Sequence, residues 1–312
     1  MAKSFRLAVL GSPIAHSRSP QLQTSFANDC GITDFSYERI ETTRETLLPT
    51  VRRLCAEGYD GFNCTMPLKT DMALLADVLG DEARDLCSAN TVAYRDGKLY
   101  ADTTDGGGIL LTIRRGQQLA ARAALENFAS LRNSPEQLPP VAAGETAIAP
   151  AECACGKRVM LLGAGGAARS TALSLRNAGA VLTIHNRTLA SAEALRTMLR
   201  VPCECKPLDE AALIESAKDC DILINCTSAG MAGQAEFESL AFVDALPDGA
   251  MVIDAVYNPL ETRLLAHAKT RGLSALSGLW MLVYQGALAF EKWTGVLPDE
   301  DACLRAFEIC KN

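Results

Sequence analysis

Val159 to Ser170 reads VMLLGAGGAARS, and this stretch decides how the rest of the chain is read. The apolar run Val159, Met160, Leu161, Leu162 breaks into Gly163-Ala164-Gly165-Gly166-Ala167-Ala168, and a helix-forming segment from Arg169 to Ala178 follows without interruption. A buried strand, a tight glycine turn and a helix start, in that order, form the context in which a G-x-G-x-x-G/A run holds a dinucleotide. Gly163 serves the turn, Gly165 lets backbone approach a pyrophosphate, and Ala168 leaves room for the helix to pack on the strand. The N–H groups of Gly166 and Ala167 at the helix start face the phosphate charge. The alternative is a glycine turn in some other α/β protein, against which the flanking strand and helix argue.

Moving outward, strands are expected at 158–162, 181–185, 221–226 and 250–254, with helices between them, which implies a parallel sheet. The end of the second strand should select the nucleotide. An acid there would bind the ribose 2′-hydroxyl of NAD, whereas an arginine accommodates the 2′-phosphate of NADP. The chain has His185-Asn186-Arg187-Thr188 and no acid. Arg187 offers a planar fork suited to phosphate, and Asn186 and Thr188 can donate hydrogen bonds. NADP is the expected cofactor, with NAD left open; the rival reading of Arg187 is a solvated residue at a strand end.

A chain of 312 residues suggests about two domains. A hydrophobic content of 48% with 21% charged residues describes a soluble globular protein. No apolar run reaches the roughly 18 residues of a membrane helix, and MAKSFRLAVLG reads as a first strand and not as a signal peptide. A net charge of −7 without basic clusters argues against nucleic acid as a partner. Twelve cysteines without an export signal point to the reducing cytoplasm and free thiols. The pairs Cys153/Cys155 and Cys203/Cys205 lack metal-ligand spacing. His16, His185 and His267 lie far apart, so no metal is expected.

Arg6 to Leu10 forms a short strand ending at Gly11-Ser12-Pro13, and Pro20 is placed as the first residue of a helix running to about Asn28. Phe35 to Ile40 alternates like a strand, and Thr42 with Glu45 reads as the capping box of a helix ending near Gly58. Gly61 to Met66 is a third strand, stopped by Pro67. A lysine at position 69, in the first turn of the next helix, opposes the macrodipole, so local helix design does not explain Lys69. Asp96-Gly97 joins strands Asn90–Arg95 and Lys98–Thr103 as a hairpin. Gly106 to Gly108 follow Asp105, and each glycine inside a helix costs about 1 kcal/mol relative to alanine. Something therefore needs close access to that backbone. Gln117 to Leu131 is alanine-rich and helical in character, whereas Asn133 to Pro150, with four prolines, reads as an irregular insertion.

Lys69 and Asp105 are the candidates for proton transfer. Reducing a ketone by hydride requires a proton at the developing alkoxide, which a positioned lysine can supply. A nearby carboxylate can keep the ammonium oriented. Each has a plain alternative: a surface lysine, and an aspartate capping the helix that follows. Ser19 could likewise be an N-cap, and Gln285 a polar residue on a buried helix that needs a partner in any case.

Seven blocks then bear a family resemblance. Gly11 to Pro20, Gly61 to Lys69, Ser88 to Val92, Thr104-Asp105, Asn225 to Ser228, Tyr257 to Leu260 and Gly278 to Gly286 resemble the shikimate dehydrogenase family. They occur in the family's order and cover nearly the whole chain outside 114–155. The resemblance implies NADP-dependent reversible reduction of 3-dehydroshikimate to shikimate, with Lys69 and Asp105 as the catalytic pair. It implies that Ser17 and Ser19 bind the substrate carboxylate and that Thr65, Asn90 and Gln285 bind ring hydroxyls. Tyr257, Gly278 and Met281 correspond to positions lining the nicotinamide or the cleft, Tyr257 as a substrate-binding residue. Thr227 and Ser228 belong with the cofactor residues, and Asp81 stands where the family often has a cofactor-contacting acid. Several positions depart from the pattern: Gln23-Thr24 replaces His-Asn, Thr103 replaces an asparagine, Cys64 a valine, and Ser191 a residue that is often basic.

The expected architecture is two α/β domains with a cleft between them. Residues 1–112 with 278–312 form the substrate domain, 113–155 an irregular insertion or linker, and 156–277 a Rossmann domain. The rivals are an NAD-preferring quinate/shikimate dehydrogenase, a non-catalytic NADP-binding regulatory relative, and another lysine-using pyridine-nucleotide enzyme. The partner expected is a small molecule, bound by a monomer or homodimer.

Overall fold

The computed structural model describes residues 4–131, 152–200 and 202–311; the insertion expected over 133–150 lies outside them. In order, the elements are β1 (Phe5–Gly11), α1 (Ser19–Asp29), β2 (Phe35–Glu41), α2 (Arg44–Ala56), β3 (Gly61–Cys64), α3 (Lys69–Leu75), β4 (Val78–Leu79) and α4 (Asp81–Leu86). Next come β5 (Thr91–Arg95), β6 (Lys98–Asp102), α5 (Asp105–Leu131), β7 (Arg158–Leu162), α6 (Gly166–Asn177), β8 (Val181–Asn186), α7 (Leu189–Leu199) and β9 (Glu204–Pro207). The chain continues through α8 (Glu210–Ala217), β10 (Ile222–Asn225), α9 (Ala241–Asp244), β11 (Met251–Asp254), α10 (Arg263–Thr270), β12 (Ser274–Ser277), α11 (Gly278–Thr294) and α12 (Glu300–Lys311). Two compact units result, one of Met1–Gly108 with Leu279–Asn312 and one of Ile109–Gly278.

The first unit holds a six-stranded mixed sheet in the order β2-β1-β3-β5-β6-β4. β1 runs parallel to β2 and β3, whereas β5 is antiparallel to both β3 and β6. The β5–β6 turn puts Asp96 at φ 52° and Gly97 at φ 73°, the pair of positive φ values that a two-residue hairpin with native twist requires. The C-terminal helices complete this core. Phe290 of α11 is fully buried, with ring centroids 5.9 Å from both Phe26 and Phe35. Trp293 donates its indole N–H to the Val92 carbonyl at 2.8 Å.

The second unit holds an all-parallel sheet in the order β12-β11-β10-β7-β8-β9. Its central strands read VMLL, ILIN and MVID and are buried along those runs, as a sheet covered on both faces demands. Strand order reverses between β7 and β10, and in such sheets ligands bind beyond the carboxyl ends of the strands at that reversal.

Several local readings are corrected. The capping box is Thr43 with Thr46, not Thr42 with Glu45. The fully buried Thr42 instead donates to the Ile40 carbonyl at 3.0 Å. β3 stops at Cys64 and does not reach Met66, with Thr65 N–H making its last ladder bond to the Leu10 carbonyl at 2.9 Å. The helical reading of 117–131 holds, and it extends further: residues 113–131 continue α5, a single helix from Asp105. β4 and β12 are further short strands absent from the sequence reading, and β9 falls where Cys203 and Cys205 alternate like one face of a strand. The close access at the glycines is given to a helix. A Cβ on Gly107 would stand 2.6 Å from Leu288 Cδ1, and one on Gly108 2.9 Å from the Met281 carbonyl, so these glycines let α5 and α11 pack.

Candidate active site

Lys69 opens α3, and its carbonyl accepts from Ala89 N–H at 2.9 Å, which ties the helix start to the segment leading into Asn90. Its ammonium lies 2.6 Å from Asp105 Oδ2 at the start of α5, and the side chains are 31% and 14% exposed. A partly dry pair in contact with solvent is suited to exchanging a proton with a bound ligand. Asn90 Nδ2 donates to the other carboxylate oxygen at 2.8 Å and to Gln285 Oε1 at 3.2 Å. Asn90 Oδ1 accepts from Thr104 N–H at 2.9 Å, and Thr104 Oγ1 also reaches Gln285 Oε1, at 3.3 Å. Lys69, Asp105, Asn90 and Gln285, drawn from four distant stretches, therefore form one connected group. The neighbouring Cys64 thiol is pushed up to about 12 by burial, with the Lys69 charge offsetting only part of that, so it remains a neutral packing group.

Thr65 follows β3, and it comes so near Gly11 that a Cβ there would stand 2.4 Å from Thr65 Cγ2. Ser19 does not cap α1; Arg18 holds the cap position, without a side-chain cap bond. Ser17 Oγ donates to Ser19 Oγ at 3.2 Å and accepts from Ser19 N–H at 3.3 Å. Arg39 on β2 grips the Ser17 carbonyl through Nε at 2.8 Å and Nη2 at 2.5 Å. Asp81 does not join this group: it pairs with Arg84 of its own helix at 2.8 Å and is 97% exposed. Met281 lies on α11, with only 9% exposure.

In the second unit, Gly163 ends β7 with φ 106°, a conformation that glycine adopts without a steric cost. A Cβ there would meet the Cys226 carbonyl at 3.1 Å and Thr227 Cγ2 at 3.3 Å. The turns after β7 and β10 therefore face each other at the reversal of strand order. Gly165 caps α6, and neither a Cβ on it nor one on Gly166 would meet any atom within 4 Å. The first turn of α6, with Ala167 and the fully buried Ala168, carries no acidic side chain. Open space in front of unpaired helix N–H groups fits a pyrophosphate. Ala164 lies within the same turn and is 9% exposed. Asn186 Nδ2 donates to the Thr188 carbonyl at 2.8 Å, leaving the exposed Arg187 between them. Tyr257 is 39% exposed on the segment after β11, with Ser228 exposed after β10.

The loop after β10 hangs on a buried acid that the sequence reading missed. Asn225 Oδ1 accepts from Thr227 N–H at 3.0 Å and Thr227 Oγ1 at 2.7 Å. Asn225 Nδ2 donates to Asp254 Oδ1 at 2.9 Å. Asp254 is fully buried and also accepts from Val256 N–H at 3.0 Å and Thr262 Oγ1 at 2.6 Å. Burial raises its pKa above the usual carboxylate range, against the pull of these donors. A raised folded-state pKa contributes stability below the unfolded value, lost as pH rises through the folded one. Asp254→Asn keeps one acceptor oxygen, enough for the Asn225 and Val256 donors at Oδ1, and removes the charge. Its stability relative to the parent should therefore improve from pH 3 to pH 7, measured by urea unfolding across that range.

Sequence reading also missed Thr91, Asn63 and Tyr37, which join the network around Asn90. The only signal was polar residues at positions where strands of this sheet are otherwise apolar. Among the described residues no group of three or more His, Cys, Asp or Glu is arranged to hold a metal ion, and no helix is long and apolar enough to cross a membrane.

Comparison with known proteins bears on the whole chain. Residues 9–92 match the model for the shikimate dehydrogenase substrate binding domain, 146–254 that for shikimate / quinate 5-dehydrogenase, and 278–306 that for the shikimate 5′-dehydrogenase C-terminal domain. A shikimate dehydrogenase (NADP(+)) of Dinoroseobacter shibae is 36% identical over 307 residues, spanning 97% of this chain and 96% of that protein. The structure is similar to shikimate 5-dehydrogenase of Thermus thermophilus in complex with NADP(H) and shikimate, with TM-score 0.76 and 30% identity over 98% of this chain and 99% of that one. It is also similar to shikimate 5-dehydrogenase of Listeria monocytogenes in complex with shikimate and NAD, with TM-score 0.75 and 27% identity over 97% and 96% of the two chains.

Proposed function

The chain belongs to the shikimate dehydrogenase family, and from that premise we propose that Lys69 and Asp105 are its catalytic pair. The reaction is the reversible NADP-dependent reduction of 3-dehydroshikimate to shikimate. The observation that carries the residue assignment is the connected group in which Lys69 and Asn90 share the two oxygens of Asp105.

Ser17 and Ser19 bind the substrate carboxylate, Thr65, Asn90 and Gln285 bind the ring hydroxyls, and Tyr257 is a further substrate-binding residue. Several small polar donors suit a polyol in an enclosed site. The dinucleotide is held by Gly163 to Ala167, by Asn186, Arg187 and Thr188, and by Thr227 and Ser228. Gly278, Met281 and Asp81 are further residues assigned to the cofactor. NADPH, when bound, would supply the hydride for reduction, and NADP⁺ would accept it in the reverse direction. Lys69 donates a proton from Nζ to the ketone oxygen as the carbon–oxygen double bond becomes a single bond, and it recovers that proton in the oxidation. Asp105 keeps the ammonium aimed and accepts from a substrate hydroxyl. Residues 1–112 with 278–312 serve the substrate and 156–277 the dinucleotide, with 113–155 as a connecting insertion. The working form is a cytoplasmic monomer or homodimer, which light scattering after gel filtration distinguishes.

Steady-state kinetics with shikimate and quinate, each with NADP and NAD, test the assignment. Shikimate with NADP should give the highest kcat/KM. An NAD-preferring quinate/shikimate dehydrogenase is the second reading, favoured by the exposed, uncharged Ser191 near the 2′-phosphate end. Arg187→Ala should lower kcat/KM for NADP about tenfold or more, equivalent to about 1.4 kcal/mol, while leaving NAD within about twofold. Equal losses with both cofactors would remove Arg187 from phosphate recognition. A non-catalytic relative would show no absorbance change at the nicotinamide band with either acid.

A further inference from the structure

Arg39 on β2 holds the segment that carries the serine pair, and it does so with neutral partners only. Nε and Nη2 donate to the Ser17 carbonyl at 2.8 and 2.5 Å, and Nη2 also donates to Gln21 Oε1 at 2.9 Å. Arg39 is exposed and makes no ion pair among the described residues. Glu41, two positions along the same strand, is turned to the Ile14 N–H at 3.0 Å. Arg18, between the two serines, is committed to the Cys310 carbonyl of α12. The positive charge of Arg39 is therefore held in place and left uncompensated.

The substrate subsites lack a cation without it. Lys69 is paired with Asp105 at 2.6 Å, so those two present no net charge to a ligand. The serines are neutral, and the bond between Ser17 Oγ and Ser19 Oγ at 3.2 Å takes one of their two hydroxyl protons. A carboxylate drawn from water needs donors and a nearby positive charge to offset its lost hydration. Only four bonds separate the carbonyl oxygen of a serine from its hydroxyl oxygen. A guanidinium gripping the first thus lies within roughly 8 Å of the second. That is inside the screening length of ~10 Å at 0.1 M salt, so the charge is felt there.

We propose that Arg39 is a specificity-determining residue of the carboxylate subsite: its fork positions Ser17, and its uncompensated charge selects an anionic over a neutral ring substrate. This rests on the assignment of Ser17 and Ser19 to the carboxylate.

The test compares shikimate with its methyl ester, which keeps the ring hydroxyls and removes the charge, on the full chain at saturating NADP. Arg39→Gln should raise KM for shikimate about five- to tenfold, the scale of one charge-assisted contact. KM for the ester should change less than about twofold, and KM for NADP should stay at the parental value. Where the ester turns over too slowly, its Ki against shikimate replaces KM. Arg39→Lys restores the charge without the fork and should recover most of the loss. Salt gives an independent reading. Raising ionic strength from about 0.05 to 0.5 M should raise the parental KM for shikimate and leave that of Arg39→Gln within about twofold. A clamp with a structural role alone would move acid and ester alike in Arg39→Gln, and that result overturns the proposal. An unchanged KM for shikimate does the same. A variant with both Ser17→Ala and Ser19→Ala separates the underlying reading. If it keeps the preference for acid over ester, the serine assignment falls and this inference with it. If it loses that preference while Arg39→Gln keeps it, this inference alone falls. Absence of parental turnover would strike the function proposed above, and calorimetric Kd values for acid and ester would still read the effect of Arg39.

Discussion

Lys69→Ala is expected to lower kcat by about 10²- to 10⁴-fold, the range a general acid contributes, with KM for shikimate changed no more than a few-fold. Three observations bear on that size. The ammonium meets Asp105 at 2.6 Å, and the pair is only partly solvated. The Cys64 thiol beside it is held neutral by burial and makes a poor substitute. Nor does the first turn of α3 use the lysine for its own stability, since a cation there opposes the helix dipole. The loss should therefore fall on turnover and not on folding. Steady-state kinetics with a melting curve on the same sample read both quantities. A variant with near-parental kcat would remove Lys69 from proton transfer, whatever happened to KM.

Gly278→Ala should be the most damaging single methyl group. A Cβ at this position would stand 2.2 Å from the Ala255 carbonyl oxygen and 2.4 Å from its carbon. Those atoms are backbone, so the junction of β12 and α11 must open. Overpacking of this kind costs about 3 kcal/mol, or a melting temperature lowered by roughly 6–12 °C in a unit of this size. Gly165→Ala is the informative contrast. Its Cβ would meet nothing within 4 Å, and its φ of −79° suits alanine, so stability should hold or rise slightly. The added methyl nevertheless occupies the space a pyrophosphate needs, so KM for NADP should rise about tenfold or more. Calorimetric melting separates the two variants. Similar melting temperatures for both would contradict the packing account of Gly278.

Legibility in the sequence followed the range of the interactions. The strand, turn and helix around Gly163 are set by neighbours in the chain, and β7 and α6 appear there. The Asp96-Gly97 hairpin was equally plain, because a two-residue turn with both φ values positive selects its residues locally. The capping box slipped by one residue because Thr42 and Thr43 offer the same hydroxyl, and burial of the first left the cap to the second. Gly106 to Gly108 announced a close approach without saying to what. α11, which arrives more than 150 residues later, supplied the answer for Gly107 and Gly108.

The site divides in the same way. Motif blocks named Lys69, Asp105, Asn90, Gln285 and the serine pair, and the structure joins the first four directly. Tyr37 and Asp254 gave no more than the weak signal of a polar residue within a strand, since FSYERIE and MVID do not by themselves tell a buried hydrogen-bonding residue from a solvent-facing one. Their partners lie 26 and 29 positions away.

The amino-acid order by itself determined two α/β units, a dinucleotide turn and the residue types for ketone reduction, because periodicity, turn chemistry and motif spacing are local properties of the chain. Only the tertiary structure decided which polar groups share partners and in which direction their protons point. Those depend on burial and on contacts between segments far apart in sequence, where an unpaired donor or acceptor is too costly to leave.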